Sequence, residues 1–490
     1  MAAETMFSIL HISDLHRSLD APISNDELLA SLSTDRARYM RSDPKIRAPD
    51  AIVVTGDIIH GVGLGHAKSK EELTDQYQVA ESFLTRLADD FVKGDRSKVI
   101  LVPGNHDIDW NVARESMRPV LPKDEPGHTK VFSTGSEYRW SWKDRIFFKI
   151  VDQNLYAKRL DAYWEFIERF YAGVNGSPQL FRDKQFALLP LWNERIGVAA
   201  FNSCHGNDCY AFHGAIEPSA IALAREVMLR EHQFGLWLAV WHHSIEGTPY
   251  RSDYMDADQV HNMVGYGFRL GLHGHQHRHQ VLPMHVDLPD RETMAVVSAG
   301  SLCAGPKELP TGFFRQYNII EIADDLMSAR VHVRQMETAQ LFSGCHLTSA
   351  GGKTFHDVSW SAPPSGPPSR TSQAEPPAKV VLSAEHLLGT GHAGEAAQAL
   401  LEWMPGLRGY SRTVFVRACV ESRKWDLVIE KLGEPQNIDE LVALIEACDR
   451  LRSIDLGLNA LRSRSDVLGM PAAQRLELER RLKIRGETSA

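Results

Sequence analysis

Short continuous apolar runs, each closed by turn residues, mark the first three hundred residues of the chain. Residues 6–12 (Met-Phe-Ser-Ile-Leu-His-Ile), 51–55, 99–102 and 236–240 are such runs, and residues 197–201 form another. They are too short for core helices and lack a clean alternation, so they predict strands buried on both faces. Further on, residues 294–301 and 315–322 predict strands, and 329–334 alternates as a final half-exposed strand should.

Two stretches depart from this rhythm. Residues 22–48 are polar and helix-prone. Residues 110–190 are rich in Trp, Tyr and Phe, with apolar residues at near-helical spacing over 155–171. This predicts an amphipathic helix and a hairpin that cover a sheet edge. The alternative is a cap whose aromatics stack a base or an apolar leaving group. Lys143, Arg145, Lys149, Lys158 and Arg159 share the stretch, either as phosphate contacts or as a solvated face.

After about residue 358 the pattern changes. Residues 359–379 are too rich in Pro and Ser to pack and predict an extended linker. Residues 380–490 lack strand patterns and predict five or six helices. Segments 393–401, 424–432 and 453–461 are loosely alike and recur about every 30 residues, near the period of helix-hairpin repeats. A stacked array of this kind offers a long surface to a protein partner; a compact helical bundle is the alternative. The expected organisation is a catalytic domain over 1–358, the linker, and a helical interaction domain over 380–490.

Composition narrows the class. At 490 residues the chain exceeds one compact domain, and its 43% hydrophobic and 24% charged content is that of an ordinary soluble protein. A net charge of −9 argues against a generally adhesive nucleic-acid surface, though not against a local basic groove. Six cysteines in so long a chain give no disulfide framework and fit a reducing compartment. The start of the chain lacks a basic region followed by a long apolar one, and no apolar run approaches a membrane span. A cytoplasmic protein without a membrane is expected.

Candidate chemistry gathers at the strand ends. Asp14-Leu-His16 follows the first run, Gly56-Asp57 the second, Gly104-Asn105-His106-Asp107 the third and His242-His243 the fourth; Gly274-His275-Gln-His277 comes later. Together they supply carboxylates, an amide oxygen and several imidazoles, which suit a pair of divalent metals. Two metals can clamp a phosphoryl group and activate water, so the chemistry indicated is phosphoester hydrolysis.

These blocks, in this order across residues 14–277, resemble the calcineurin-like metallophosphoesterase superfamily, whose pattern is D-x-H, G-D, G-N-H-[DE], H and G-H-x-H. The resemblance implies an α/β fold, a two-sheet αββα sandwich, followed here by a small all-α domain. It implies that Asp14, His16 and His277 bind one metal, that Asn105, His242 and His275 bind a second, and that Asp57 bridges them. His106 would act at the scissile bond, protonating the leaving oxygen or stabilising the transition state, and Asp107 would orient His106. Manganese is the expected ion, with Fe, Zn or Ni as alternatives. The fourth block departs from the family's H-x-P, reading His242-His243-Ser244; spacing after the strand favours His242 over His243 as the ligand.

Other histidines near the motifs (His11, His60, His243, His273, His279) read as supporting or ordinary residues. Cys204-His205 and Cys209 lack zinc-finger spacing and read as a loop, with Asn202 structural at its strand end. The functional expectation is a phosphodiesterase or nuclease acting on DNA, RNA or nucleotides. The alternative is a regulatory or scaffold subunit whose helical tail docks a partner effector. Its architecture resembles the phosphoesterase components of bacterial multi-gene conflict systems.

Overall fold

The computed structural model describes residues 6–121, 136–231, 233–246, 253–287, 291–305, 308–310, 312–336, 341–361, 376, 378–407, 409–468, 470 and 472–487. It divides into two compact units, Met1–Met117 with Val151–Ser365, and Arg118–Ile150 with Gly366–Ala490.

The strands of the chain, in order, are β1 (Phe7–Ile12), β2 (Ala51–Thr55), β3 (Val99–Val102), β4 (Met117–Pro119), β5 (Tyr138–Ser141) and β6 (Ile146–Ile150). Next come β7 (Gln179–Phe181), β8 (Phe186–Leu191), β9 (Ile196–Phe201), β10 (Leu236–Val240), β11 (Leu270–His273) and β12 (Gln280–Asp287). The last are β13 (Arg291–Ser298), β14 (Arg315–Ile322), β15 (Ser328–Met336), β16 (Phe342–Gly344) and β17 (Phe355–Ser359).

Two sheets build the first unit. One runs β16-β15-β14-β1-β2-β3, with β17 also on β15; the other runs β12-β13-β11-β10-β9-β8-β7. Strands β1, β2 and β3 are parallel, as are β9, β10, β11 and β13, so their C-terminal ends gather on one side. Side chains alternate across each strand, and both faces are apolar. Ile9, Val53, Ile100, Val198, Leu238, Leu272 and Ile320 meet between the sheets. Leu10, Ile12, Ile52, Val54 and Leu101 face helices Asn25–Arg36, Ser69–Val92 and Asp161–Phe170. Phe201, Trp237, Ala239 and Val296 face helices Ala220–Glu231 and Ala257–Gly265. This is the αββα sandwich expected from the sequence. It explains why the central strands read as continuous apolar runs: each is covered on both faces.

The polar stretch 22–48 contributes helix Asn25–Arg36, opened by a Ser24–Glu27 capping box and buried through Leu28, Leu29 and Leu32. The aromatic stretch divides between the units. Helix Asp161–Phe170 buries Tyr163, Trp164, Phe166, Ile167 and Phe170. Phe166 stacks on Tyr77 with centroids 5.0 Å apart, and the Tyr163 hydroxyl donates to the Leu101 carbonyl at 3.3 Å. Each such side chain removed from water contributes about 1.5–3 kcal/mol. These aromatics are buried in the core and are not free to stack a ligand. Strands β5 and β6 form the expected hairpin.

In the second unit, helices Ala378–Gly389 and Ala393–Leu401, Gly409–Glu421 and Trp425–Lys431, and Ile438–Arg450 and Ile454–Arg464 follow as successive pairs, with Ala472–Glu487 last. The described residues from 378 onward thus hold seven α-helices where five or six were expected. Helix Ile438–Arg450 joins two cores: Ala443 and Ala447 pack with the helices before it, Leu441, Val442 and Ile445 with those after it. The three look-alike segments are the second helices of the successive pairs. No described helix is long and apolar enough to cross a membrane.

Candidate metal centre

The motif residues lie in the loops that leave β1, β2, β3, β10 and β11, and backbone hydrogen bonds knit those loops together. Asp14 N donates to the Gly56 carbonyl at 3.1 Å and His16 N to the Asp57 carbonyl at 3.0 Å. Gly274 N donates to the His242 carbonyl at 3.0 Å. Asp14, His16, Asp57, His275 and His277 all take left-handed backbone angles, with φ of 52°, 43°, 48°, 77° and 54°. Such residues typically cost about 1–3 kcal/mol each and persist where the surroundings impose them. Their concentration at one place identifies a site built at the expense of local comfort.

Two glycines are demanded by close approach. A Cβ on Gly104 would lie 2.2 Å from Asp57 Oδ1, and one on Gly274 would lie 1.7 Å from Ser13 Oγ.

The side chains fall into two groups. In the first, His277 Nε2 lies 3.3 Å from Asp14 Oδ1 and 3.3 Å from His16 Nε2. In the second, Asn105 Oδ1 lies 3.0 Å from both His242 Nε2 and His275 Nδ1, and those two nitrogens are 3.2 Å apart. Asp57 stands between them. Its Oδ2 is 3.3 Å from His242 Nε2, and its ligand atoms come within 4.8 Å of those of His16 and His106 and, separately, of Asp14 and His242.

Backbone carbonyls fix which imidazole nitrogen is offered. His242 Nδ1 donates to the Thr55 carbonyl at 2.7 Å, and His277 Nδ1 donates to the Glu308 carbonyl at 2.9 Å. A carbonyl only accepts, so each ring carries its proton on Nδ1 and turns the Nε2 lone pair into the site. Nitrogen lone pairs that face each other at 3.2–3.3 Å need a cation or a proton between them. The Asp14 Oδ1 atom is buried and has no hydrogen bond of ordinary geometry. This donor set fits two divalent cations, one among Asp14, His16 and His277 and one among Asn105, His242 and His275, with Asp57 reaching both.

Electrostatics agree. Burial lowers the basicity of His242 and His277, but the Asp57 and Asp14 carboxylates outweigh it and push each imidazole up to about 9. Against the opposing effect of burial, His277 holds Asp14 well below the usual carboxylate range, and His242 and His106 do the same for Asp57. Burial alone is the main cause that brings His16 down to about 3 and, with His242, His275 to about 4. Without metal, protons hold these carboxylate–imidazole pairs together.

His242 and His243 are now distinguished. His242 points into the site. His243 turns away, with Nδ1 2.9 Å from Ser203 Oγ and Nε2 3.2 Å from the Asn207 amide. His106 lies beside His16, ring centroids 4.7 Å apart, and its backbone N donates to Asp57 Oδ1 at 2.9 Å.

Asp107 departs from its expected role. His106 Nδ1 lies 2.5 Å from the His60 carbonyl. The Asp107 carboxyl instead accepts from Gly104 N at 2.7 Å, Ile58 N at 3.2 Å and the Tyr77 hydroxyl at 3.0 Å. It shapes the loop that carries Asn105 and His106 and leaves the His106 ring to the His60 carbonyl, because its side chain is buried beneath the loop. Arg159 is likewise unavailable to a phosphate: it is buried, and its guanidinium donates to the carbonyls of Tyr156, Cys204, His205 and Asn207. Lys149 pairs with Glu137 at 3.3 Å.

Cys204 and Cys209 are free and buried, and among the described residues no metal-binding group forms around them. Asn202 closes its own loop, accepting from Cys204 N at 2.7 Å. Sequence reasoning missed Ser203 and the Thr55, His60 and Glu308 carbonyls. A main-chain carbonyl carries no sequence signal, while Ser203 had one, its place just past the end of a central strand.

The fold and the site define a metal-dependent phosphoesterase. The family model for calcineurin-like phosphoesterases matches residues 7–279, more than half of the chain, and the chain belongs to this family. Among solved structures, the chain is similar to "GAP50 the anchor in the inner membrane complex of Plasmodium", at 11% identity over 74% of this chain and 90% of that one, with a TM-score of 0.33. It is also similar to the calcineurin-like phosphoesterase YfkN from Bacillus subtilis, at 12% identity over 73% of this chain and 91% of that one, with a TM-score of 0.27. No curated protein matches the chain.

Proposed function

We propose that this protein is a dinuclear metal-dependent phosphodiesterase acting on nucleic acid or nucleotides, with manganese its ion. The observation that carries the reading is the pair of donor groups joined by Asp57, each with an imidazole Nε2 presented by a main-chain carbonyl. When bound, a divalent pair supplies Lewis acidity to the phosphoryl oxygens and to the attacking water.

The chain's own residues do the rest. Asp14, His16 and His277 would hold one ion, and Asn105, His242 and His275 the other. Asp57, which accepts from His106 N, ties the general-acid loop to the metals. His106 Nδ1 donates to the His60 carbonyl, so Nε2 is the end left for substrate. There a protonated ring donates to the leaving oxygen or offsets the charge that develops on phosphorus.

Preference for diesters rests on the Asp14-Leu15-His16 form of the first block. The test presents metal-free protein, resupplied with Mn, with an aryl phosphodiester, cyclic nucleotides, and single- and double-stranded DNA and RNA. Polynucleotide cleavage supports a nuclease, and cleavage of small diesters alone supports a nucleotide hydrolase. Cleavage of monoesters only contradicts the diester assignment.

The paired helices of the second unit favour a second role, docking of a protein partner through residues 380–490. If cellular function survived His106→Ala, the scaffold reading would replace the enzymatic one.

A further inference from the structure

The fourth motif block reads His242-His243-Ser244 where the family has H-x-P, and a buried hydrogen-bonded chain holds the two histidines just before that position. The Ser203 hydroxyl accepts from His242 N at 3.1 Å and from His243 N at 3.1 Å. Both lone pairs are then used, and its one proton must go to the remaining neighbour, His243 Nδ1, at 2.9 Å. His243 is therefore the neutral tautomer with its proton on Nε2. That N–H faces the Asn207 amide at 3.2 Å, and the Asn207 Oδ1 atom is buried without a donor. An amide oxygen turned toward Nε2 satisfies both groups at once.

Ser203, Asn207, His242 and His243 are all fully buried, so each unmade bond would carry its full desolvation cost. The turn is pinned from two further sides. Trp241 Nε1 donates to the His243 carbonyl at 2.8 Å, and a Cβ on Gly214 would lie 2.4 Å from His243 Cβ. The His243 ring also lies 4.8 Å from His275 and 5.2 Å from His242, against both imidazoles of the second donor group.

We propose that Ser203, His243 and Asn207 are positioning residues that hold the second metal's ligands, His242 and His275, in a turn that lacks the family's proline. The proposal rests on the dinuclear reading above. It makes a selective claim: loss of the network loosens one metal and spares the other. The Asp14, His16 and His277 group is anchored elsewhere, through the Glu308 carbonyl and the Gly56–Ile58 backbone.

The test is equilibrium dialysis of the full chain against graded free Mn, with bound metal counted per chain. Wild type, Ser203→Ala, His243→Ala, the double variant and Asn105→Ala are compared, and circular dichroism confirms the fold of each. Wild type should bind two ions. Both single variants should keep one ion at wild-type affinity and bind the second about 10–100-fold more weakly, as expected when a partner that orients a metal ligand is lost. They should resemble Asn105→Ala, and the double variant should be no worse than the worse single. Ser203→Ala is a small change and stands in should His243→Ala fail to fold. Folded variants that bind both ions normally, or that loosen both equally, would overturn the proposal. Fewer than two ions in the wild type would bring down the dinuclear reading itself, and the proposal with it.

Discussion

Single residues carry most of the candidate chemistry here, and five of them, Asp14, His16, Asp57, His275 and His277, do so in left-handed backbone conformations. In the proposed centre, Asp57 is the residue shared by both donor groups. Asp57→Asn keeps its shape but removes its charge, so both ions should be held at least tenfold less tightly. Metal analysis that still found two tightly bound ions would mean that the bridge is misassigned. His242 and His277 give a pH prediction. Each is raised to about 9 in the metal-free protein, so at pH 7.5 both are protonated and metal must displace those protons. Mn affinity should rise with pH from 7 towards 9, with proton release on loading that fades above it. Calorimetry in buffers of different ionisation enthalpy measures that release; pH-independent affinity would contradict the assignment. The sequence showed these candidate ligands because metal binding demands particular side chains in order. It hid what orients them, since the Thr55, His60 and Glu308 carbonyls would look the same on any residue.

Elements place those residues. The central strands were legible because both of their faces are covered, which leaves an apolar run with no polar alternation. The aromatic segment was legible as a helix but not as a broken one. Residues 155–171 divide into Gln153–Ala157, a 3-10 turn at Lys158–Leu160 and Asp161–Phe170. The break brings Arg159 inward onto four carbonyls, a tertiary bond set that no local spacing reveals. The long helix Ser69–Val92 reaches the site through Tyr77, whose hydroxyl bonds to Asp107. Burial, together with the nearby Asp57, pushes the Asp107 carboxyl up to about 7. Tyr77→Phe leaves that carboxyl one donor short in a buried place and should cost about 1–3 kcal/mol in urea denaturation. A change under about 0.3 kcal/mol would mean that the bond carries no net weight.

The whole chain joins a catalytic sandwich to a helical unit of different character. The change from strands to helices after β17 was legible from the proline and serine that follow it. The division of the 110–190 stretch was not, because composition does not say with which core a hairpin will pack. The loose likeness among segments was visible only in the second helix of each pair, where small and apolar residues recur. The first helices differ, Ile438–Arg450 being buried along nearly its whole length. Every donor of the metal centre belongs to the first unit. Deleting residues 380–490 should therefore leave kcat/KM for a small aryl phosphodiester within about threefold of wild type, a change of under 1 kcal/mol in barrier. Loss of that activity in a folded truncation would mean that the tail helps to complete the site.

The most direct test of the central claim measures metal content and aryl phosphodiester turnover on the same samples of wild type and His106→Ala, each stripped and resupplied with Mn. His106 is assigned to the reacting bond and not to a metal. The account predicts two ions per chain in both proteins, with turnover reduced by about 10²–10⁴-fold in the variant. Equal turnover in the two proteins, or turnover that persists after the metals are removed, would contradict it.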